Sequence, residues 1–228
     1  MAPLRIRYQT LEIGDLDIHV RTLYDLLQYF DENGVAEELG ISSATWPLFG
    51  IVWPSAQVLA HHLRNYAIAG KRIREVGCGI GLASLMLNCR KADITATDHH
   101  PEAENFLIQN TLLNNTAPIP FFRTGWCDLE QKLGLFDLII GSDLLYENDH
   151  FTLLSRFIDH HATPCCDVII VDPGRGQHSR FSKKMIALGY THTRHRPAHT
   201  DYLPGAFKGY ILCYSRKLSN KPQNTLIR

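Results

Sequence analysis

At 228 residues and 45% hydrophobic content, the chain has the size and composition of one α/β domain with a sizeable core. Its 23 Lys and Arg balance its 23 Asp and Glu, so net charge gives no pull towards nucleic acid or an anionic membrane. No run approaches the roughly 18 apolar residues of a membrane span, the start lacks a signal pattern, and the six scattered cysteines lack a C-x-x-C pair, which together predict a soluble, cytoplasmic protein with reduced thiols.

The opening residues, Arg5 to Ile13 and Asp17 to Leu23, alternate on either side of Gly14-Asp15 and predict a hairpin, followed by a helix over Tyr24 to Gly40. These form an N-terminal extension, residues 1–45. Ser55 is placed to cap a helix through about Ala69, with Val58, Leu59, His62, Leu63 and Tyr66 as its apolar stripe. Strands are then expected near 72–76, 92–97, 119–124, 136–141, 167–172, 190–196 and 207–216, with helices near 82–89, 102–114, 149–161 and 177–188. This alternation over 46–217 predicts an α/β, doubly wound, Rossmann-like sheet of seven strands with helices on both faces. The last two strands are joined without a helix, which predicts an antiparallel edge. Residues 218–228 read as a mobile polar tail, and the oligomeric state is open, a monomer being the default.

Between the strand at 72–76 and the helix at 82–89 lies Glu75-Val76-Gly77-Cys78-Gly79-Ile80-Gly81. Glycines at such a turn let backbone approach a ligand and tolerate positive φ. A dinucleotide fingerprint would need a glycine where Leu82 stands, and no Lys-Ser or Lys-Thr pair follows to hold phosphate, so NAD, FAD and nucleoside triphosphates are disfavoured. Asp98 ends the next strand 23 residues after Glu75, where nucleoside sites of this topology place a carboxylate on the ribose. Twelve histidines, paired at 61–62, 99–100 and 160–161 and clustered at 192, 195 and 199, invite a metal reading. Residues i and i+3 of a strand face opposite ways and no cysteine or carboxylate completes a set, so no metal is expected.

The glycine turn resembles motif I of the class I S-adenosylmethionine-dependent methyltransferases. Ser142-Asp143-Leu144-Leu145-Tyr146 after the fourth strand and Trp53-Pro54-Ser55 before the turn extend the likeness, and together they resemble methyltransferase family 16 over about residues 45 to 175. Asp172-Pro173-Gly174-Arg175-Gly176 is similar to that family's bacterial branch, named for nicotinamide N-methylation and allied to lysine methyltransferases of an electron-transfer flavoprotein. The resemblance implies S-adenosylmethionine as cofactor and S-adenosylhomocysteine as product. It places Gly77, Gly79, Gly81, Glu75 and Trp53 around the methionyl part, Asp98 on the ribose, Trp126 and Asp128 on the adenine, Ser142 beside the cofactor, and Asp143 with Tyr146 on the methyl acceptor. The implied reaction is N-methylation of an amine, a protein lysine first; a small-molecule amine and a non-catalytic cofactor-binding module remain open. The D/N-P-P-Y signature linked to nucleic-acid bases is absent after the fourth strand.

Overall fold

A computed structural model describes residues 4–29, 31, 34–129, 133–146 and 150–217. The hairpin forms as β1 (Ile6–Ile13) and β2 (Leu16–Leu23), paired antiparallel. The helix expected over 24–40 does not form as one element. Its residues give a 3-10 turn at Leu26–Gln28 and a four-residue α1 (Val35–Glu38). Side chains intercept the backbone here: Asp25 accepts from Leu27 N, Gln28 exchanges two hydrogen bonds with the backbone of Arg5, and Asp31 accepts from Val35 N and Ala36 N. Gly34, at φ 71°, then resets the chain direction.

A second 3-10 turn, Trp46–Gly50, leads to α2 (Pro54–Leu63). Ser55 does not cap this helix. Pro54 takes the first helical position after Trp53, and Ser55 is fully buried inside. The helix stops short of Ala69 because the Arg90 guanidinium takes the carbonyls of Leu63 and Tyr66.

The remaining elements are β3 (Arg72–Val76), α3 (Leu82–Cys89), β4 (Asp93–Asp98), α4 (Ala103–Leu113), β5 (Phe121–Arg123), β6 (Phe136–Ser142), α5 (His150–His161), β7 (Ala162–Asp172), α6 (His178–Ala187), β8 (Thr191–His195) and β9 (Tyr210–Ser215). They form a seven-stranded sheet in the order β5-β4-β3-β6-β7-β9-β8, parallel except for β9. The antiparallel strand is thus inserted next to β7, and β8 forms the edge.

Period-two alternation divides the core between the two faces of the sheet. Leu138, Ile140, Ile169 and Val171 pack with α2, α3, α4 and the hairpin; Ile139, Val168, Ile170 and Leu212 pack with α5 and α6. Each fully buried Leu, Ile or Phe contributes about 1.5–3 kcal/mol relative to exposure.

The hairpin is fastened by two asparagines of α4. Asn110 Oδ1 accepts from Arg21 N at 2.6 Å and its Nδ2 donates to Arg21 O and Ile80 O; Asn114 makes the same pair of bonds with His19 N and O. Four residues of helix rise about 6 Å and two of strand about 6.6 Å, so amides at i and i+4 match alternate residues of β2.

Candidate functional site

The parallel order sets the carboxyl ends of β4, β3, β6 and β7 side by side, and the loops leaving them meet there. The glycine turn after β3 is central, with Asp98 on one flank and Asp143 and Asp172 on the other. Gly77, Gly79 and Gly81 all have positive φ, at 60°, 54° and 78°. Each also abuts protein: a Cβ would lie 2.5 Å from Leu144 Cδ2 at Gly77, 2.9 Å from Phe49 O at Gly79 and 2.4 Å from Leu107 Cδ1 at Gly81. The positive φ favours glycine at all three, and at Gly79 the backbone of Phe49 also excludes a side chain.

Two carboxylates hold the turn. Asp98 accepts from Gly79 N and His100 N, both at 2.8 Å, which spans β3 and β4 and leaves further lone pairs on a half-buried group. Glu75 lies behind the turn, 2% exposed, and its Oε2 takes both the backbone N and the hydroxyl of Ser84 in the first turn of α3. Burial raises the carboxyl of Glu75 to about 7, against the two bonds from Ser84, and also lifts Asp98.

Asp143 sits at φ 55°, with its N donating to Val171 O. Its carboxylate meets the exposed Arg175 guanidinium at 2.8 Å and 3.1 Å, and among the described residues no helix N–H reaches it. Burial raises its pKa and Arg175 opposes that shift. Asp172 is 1% exposed, accepts from Gly174 N, and is likewise raised by burial. His178 Nδ1 is 3.8 Å from Asp172, while its Nε2 accepts from Arg194.

The expected aromatics take distinct places. Trp53 donates its indole N–H to Leu48 O at 2.9 Å, tying the 46–50 turn to α2. Trp126 meets His150 edge-on at 4.9 Å, and His150 meets the exposed Tyr146 edge-on at 4.6 Å, so the loop after β5 and the loop after β6 share one histidine. Asp128 closes the first of these loops through its N to Gly125 O. Gly77, Gly79, Asp98, Trp53, Trp126, Ser142 and Asp143 are all half-buried, recessed yet reachable, whereas Val76, Thr97 and Gly141 beside them are buried.

An aromatic cover over the turn lies outside the residues expected from sequence. Phe49 stacks on His100 at 3.8 Å, with Trp46 and Tyr29 against the same imidazole. Burial holds His100 down to about 3, so it packs as a neutral ring. The run Trp46-Pro47-Leu48-Phe49-Gly50 was its only local signal. The Arg175–Asp143 pair was also missed, being 32 residues apart. No group of three or more His, Cys, Asp or Glu converges as a metal site among the described residues.

A family model described as lysine methyltransferase, methyltransferase family 16, matches residues 37–186. The chain belongs to that family. It is 26% identical over 150 residues to a calmodulin-lysine N-methyltransferase of Arabidopsis thaliana, a match covering 60% of this chain and 49% of the relative. It is 31% identical over 130 residues to a protein N-lysine methyltransferase of Danio rerio, covering 52% and 59%. The chain thus spans about half the length of the curated relatives it matches. Its fold is that of solved methyltransferases: a ribosomal protein L11 methylase of Lactobacillus delbrueckii superposes with a TM-score of 0.58 at 20% identity, over 72% of this chain and 78% of the other. A magnesium protoporphyrin IX methyltransferase of Synechocystis, crystallised with S-adenosylmethionine, gives 0.55 at 19% identity, over 70% and 76%.

Proposed function

We propose that the protein is an S-adenosylmethionine-dependent N-methyltransferase whose acceptor is the side-chain amine of a protein lysine. The observation that carries this reading is the flanking of one glycine turn by two half-buried carboxylates, Asp98 and Asp143, both held above the usual carboxylate range by burial. A recess lined by such groups favours cations, and both the cofactor, a sulfonium bearing an ammonium, and a lysine are cationic. Lysine recognition also accords with the names of the family's curated members.

The cofactor supplies an activated methyl group, transferred in line as the sulfonium charge disappears. What remains for the protein is positioning. Asp98 keeps acceptor capacity for the two ribose hydroxyls while it holds Gly79 and His100 in place. Glu75, out of reach behind the turn, acts by fixing the first turn of α3. Asp143 receives the ammonium in place of Arg175 and orients the nitrogen once its proton has left for solvent. Tyr146, exposed beside it, offers a hydroxyl to the same nitrogen. Trp126 and Asp128 border the adenine, Trp53 and Ser142 the methionyl side.

Among the described residues no helix is long and apolar enough to cross a membrane. A cytoplasmic setting is part of this proposal, supported by six free cysteines.

The test pairs cofactor binding with acceptor capture. Calorimetry should show S-adenosylmethionine and S-adenosylhomocysteine binding and NADH failing to bind. Methyl-labelled cofactor incubated with fractionated lysate should then mark a protein band that yields methyl-lysine on hydrolysis. Label confined to small molecules would replace the protein acceptor with a free amine.

A further inference from the structure

The zero net charge conceals a strong partition. Residues 173–217 carry nine Lys and Arg against a single acid, Asp201, whereas residues 1–172 carry twelve against twenty-two. The basic part is the last portion of the fold: the loop after β7, α6, β8, the connection into β9 and β9 itself.

Arg175, Arg194, Arg196 and Lys208 share the carboxyl edge of the sheet with the acceptor loop, whereas Arg216, paired with Asp159, and Lys217 lie at the opposite edge. Register places Asp172 opposite Tyr210 and His195 opposite Ile211, which brings Arg196 alongside Tyr210. The guanidinium carbons of Arg194 and Arg196 lie 5.0 Å and 5.3 Å from the Tyr210 ring centre. Lys208 lies in the same corner, its carbonyl 3.1 Å from where a Cβ of Gly174 would stand, next to Arg175 on Asp143. On α6, Arg180, Lys183 and Lys184 occupy i, i+3 and i+4 and are exposed, opposite the buried His178, Phe181, Ser182 and Met185. Among the described residues, Lys183, Arg194, Arg196 and Lys208 form no ion pair with a carboxylate.

We propose that this basic surface docks an acidic segment of the substrate protein, so that the methylated lysine is one flanked by Asp and Glu. The inference rests on the methyltransferase reading and names the class of protein that reading leaves open. In the free protein Arg175 occupies Asp143. A lysine that displaces it satisfies Asp143 and leaves the guanidinium at the rim of the basic surface, where an acidic neighbour of that lysine can pair with it. One exchange of partners thus requires a cation and an anion close together on the same substrate. An exposed strip of nucleic-acid type would offer aromatic faces for base stacking. Here the ring of Tyr210 faces two guanidiniums, and the exposed Tyr8, Tyr24 and Phe122 lie on other segments, while the exposed Tyr146 belongs to the acceptor site itself.

The test uses two fluorescein-labelled peptides of equal length with one central lysine, flanked by Asp and Glu in the first and by Asn and Gln in the second. Anisotropy is followed with S-adenosylhomocysteine present. The acidic peptide should bind about tenfold or more tightly than the neutral one at low salt, with the difference shrinking near about 0.5 M salt. Lys183→Glu with Arg196→Glu should abolish the preference, and Lys183→Gln with Arg196→Gln should weaken it, with melting temperature unchanged. Equal binding of the two peptides overturns the proposal. So does a single-stranded RNA of matching length that outcompetes the acidic peptide on the wild type and loses affinity in the same variants. Calorimetry with S-adenosylhomocysteine on the same samples reports separately on the methyltransferase reading.

Discussion

Glu75 shows how one buried carboxylate ties stability to pH. Its folded pKa of about 7 lies above the ordinary 4.5, so the folded chain keeps a proton that the unfolded chain gives up. Its contribution is full below about pH 4.5 and declines as pH rises through 7, by roughly 3 kcal/mol for a shift of that size. Glu75→Gln keeps an oxygen for Ser84 without the charge. Its melting temperature should match the wild type near pH 4.5 and exceed it at pH 8, and parallel melting curves across that range would disprove the assignment.

Asp98 and Asp143 separate binding from turnover. Asp98→Ala removes charge-assisted hydrogen bonds worth about 1.5–3 kcal/mol, a loss of cofactor affinity of roughly ten- to a hundredfold by calorimetry. An unchanged dissociation constant would leave Asp98 only its bonds to Gly79 and His100. Asp143→Asn suits the positive φ, since asparagine tolerates it, and keeps an oxygen for Arg175. Methyl transfer should fall by at least about tenfold with cofactor affinity nearly unchanged. Tyr146→Phe should act in the same direction and less. Normal turnover in both would remove them from the acceptor site.

At the scale of elements, the 46–50 turn and the glycine turn are one unit, because backbone of the first rests on Gly79. Gly79→Ala sets a Cβ 2.9 Å from Phe49 O at a φ of 54°. The strain, about 1–3 kcal/mol, should lower the melting temperature and shift the fluorescence of Trp46 and Trp53 as their turn is pushed away. An unaltered melt and spectrum would show that the contact yields freely.

The β3–turn–α3–β4 unit was legible from sequence because its signals are local: apolar runs, glycines two apart and an aspartate at a strand end. The 24–40 segment was not, since Asp25 and Asp31 accept from backbone N–H groups of Leu27, Val35 and Ala36 that a continuous helix would have used, and Gln28 turns instead to the backbone of the distant Arg5. Asp143 was singled out by the resemblance of Ser142-Asp143-Leu144-Leu145-Tyr146 to the family's motif, but its pairing with Arg175 depends on β6 and β7 being neighbours, which periodicity does not encode. Ser84 on Glu75 is similar: nine residues apart, they meet only because the turn folds back.

Across the whole molecule, the strand edges decide what else the chain can pair with. β5 is only three residues long and β8 is lined with histidine and arginine, both poor templates for a foreign strand. β2 is different: eight residues, rich in apolar and β-branched side chains, with its outer N–H and C=O groups turned to α4. Asn110 and Asn114 occupy those groups as a neighbouring strand would, so the amide pair is also a guard against self-assembly. Asn110→Leu with Asn114→Leu leaves four backbone groups of His19 and Arg21 unpaired, each worth about 1–3 kcal/mol if kept from water. The double variant should scatter light and form sheet-rich aggregates on mild warming, at temperatures where the wild type stays clear; a variant that melts earlier yet remains clear would limit the two asparagines to holding the hairpin in place.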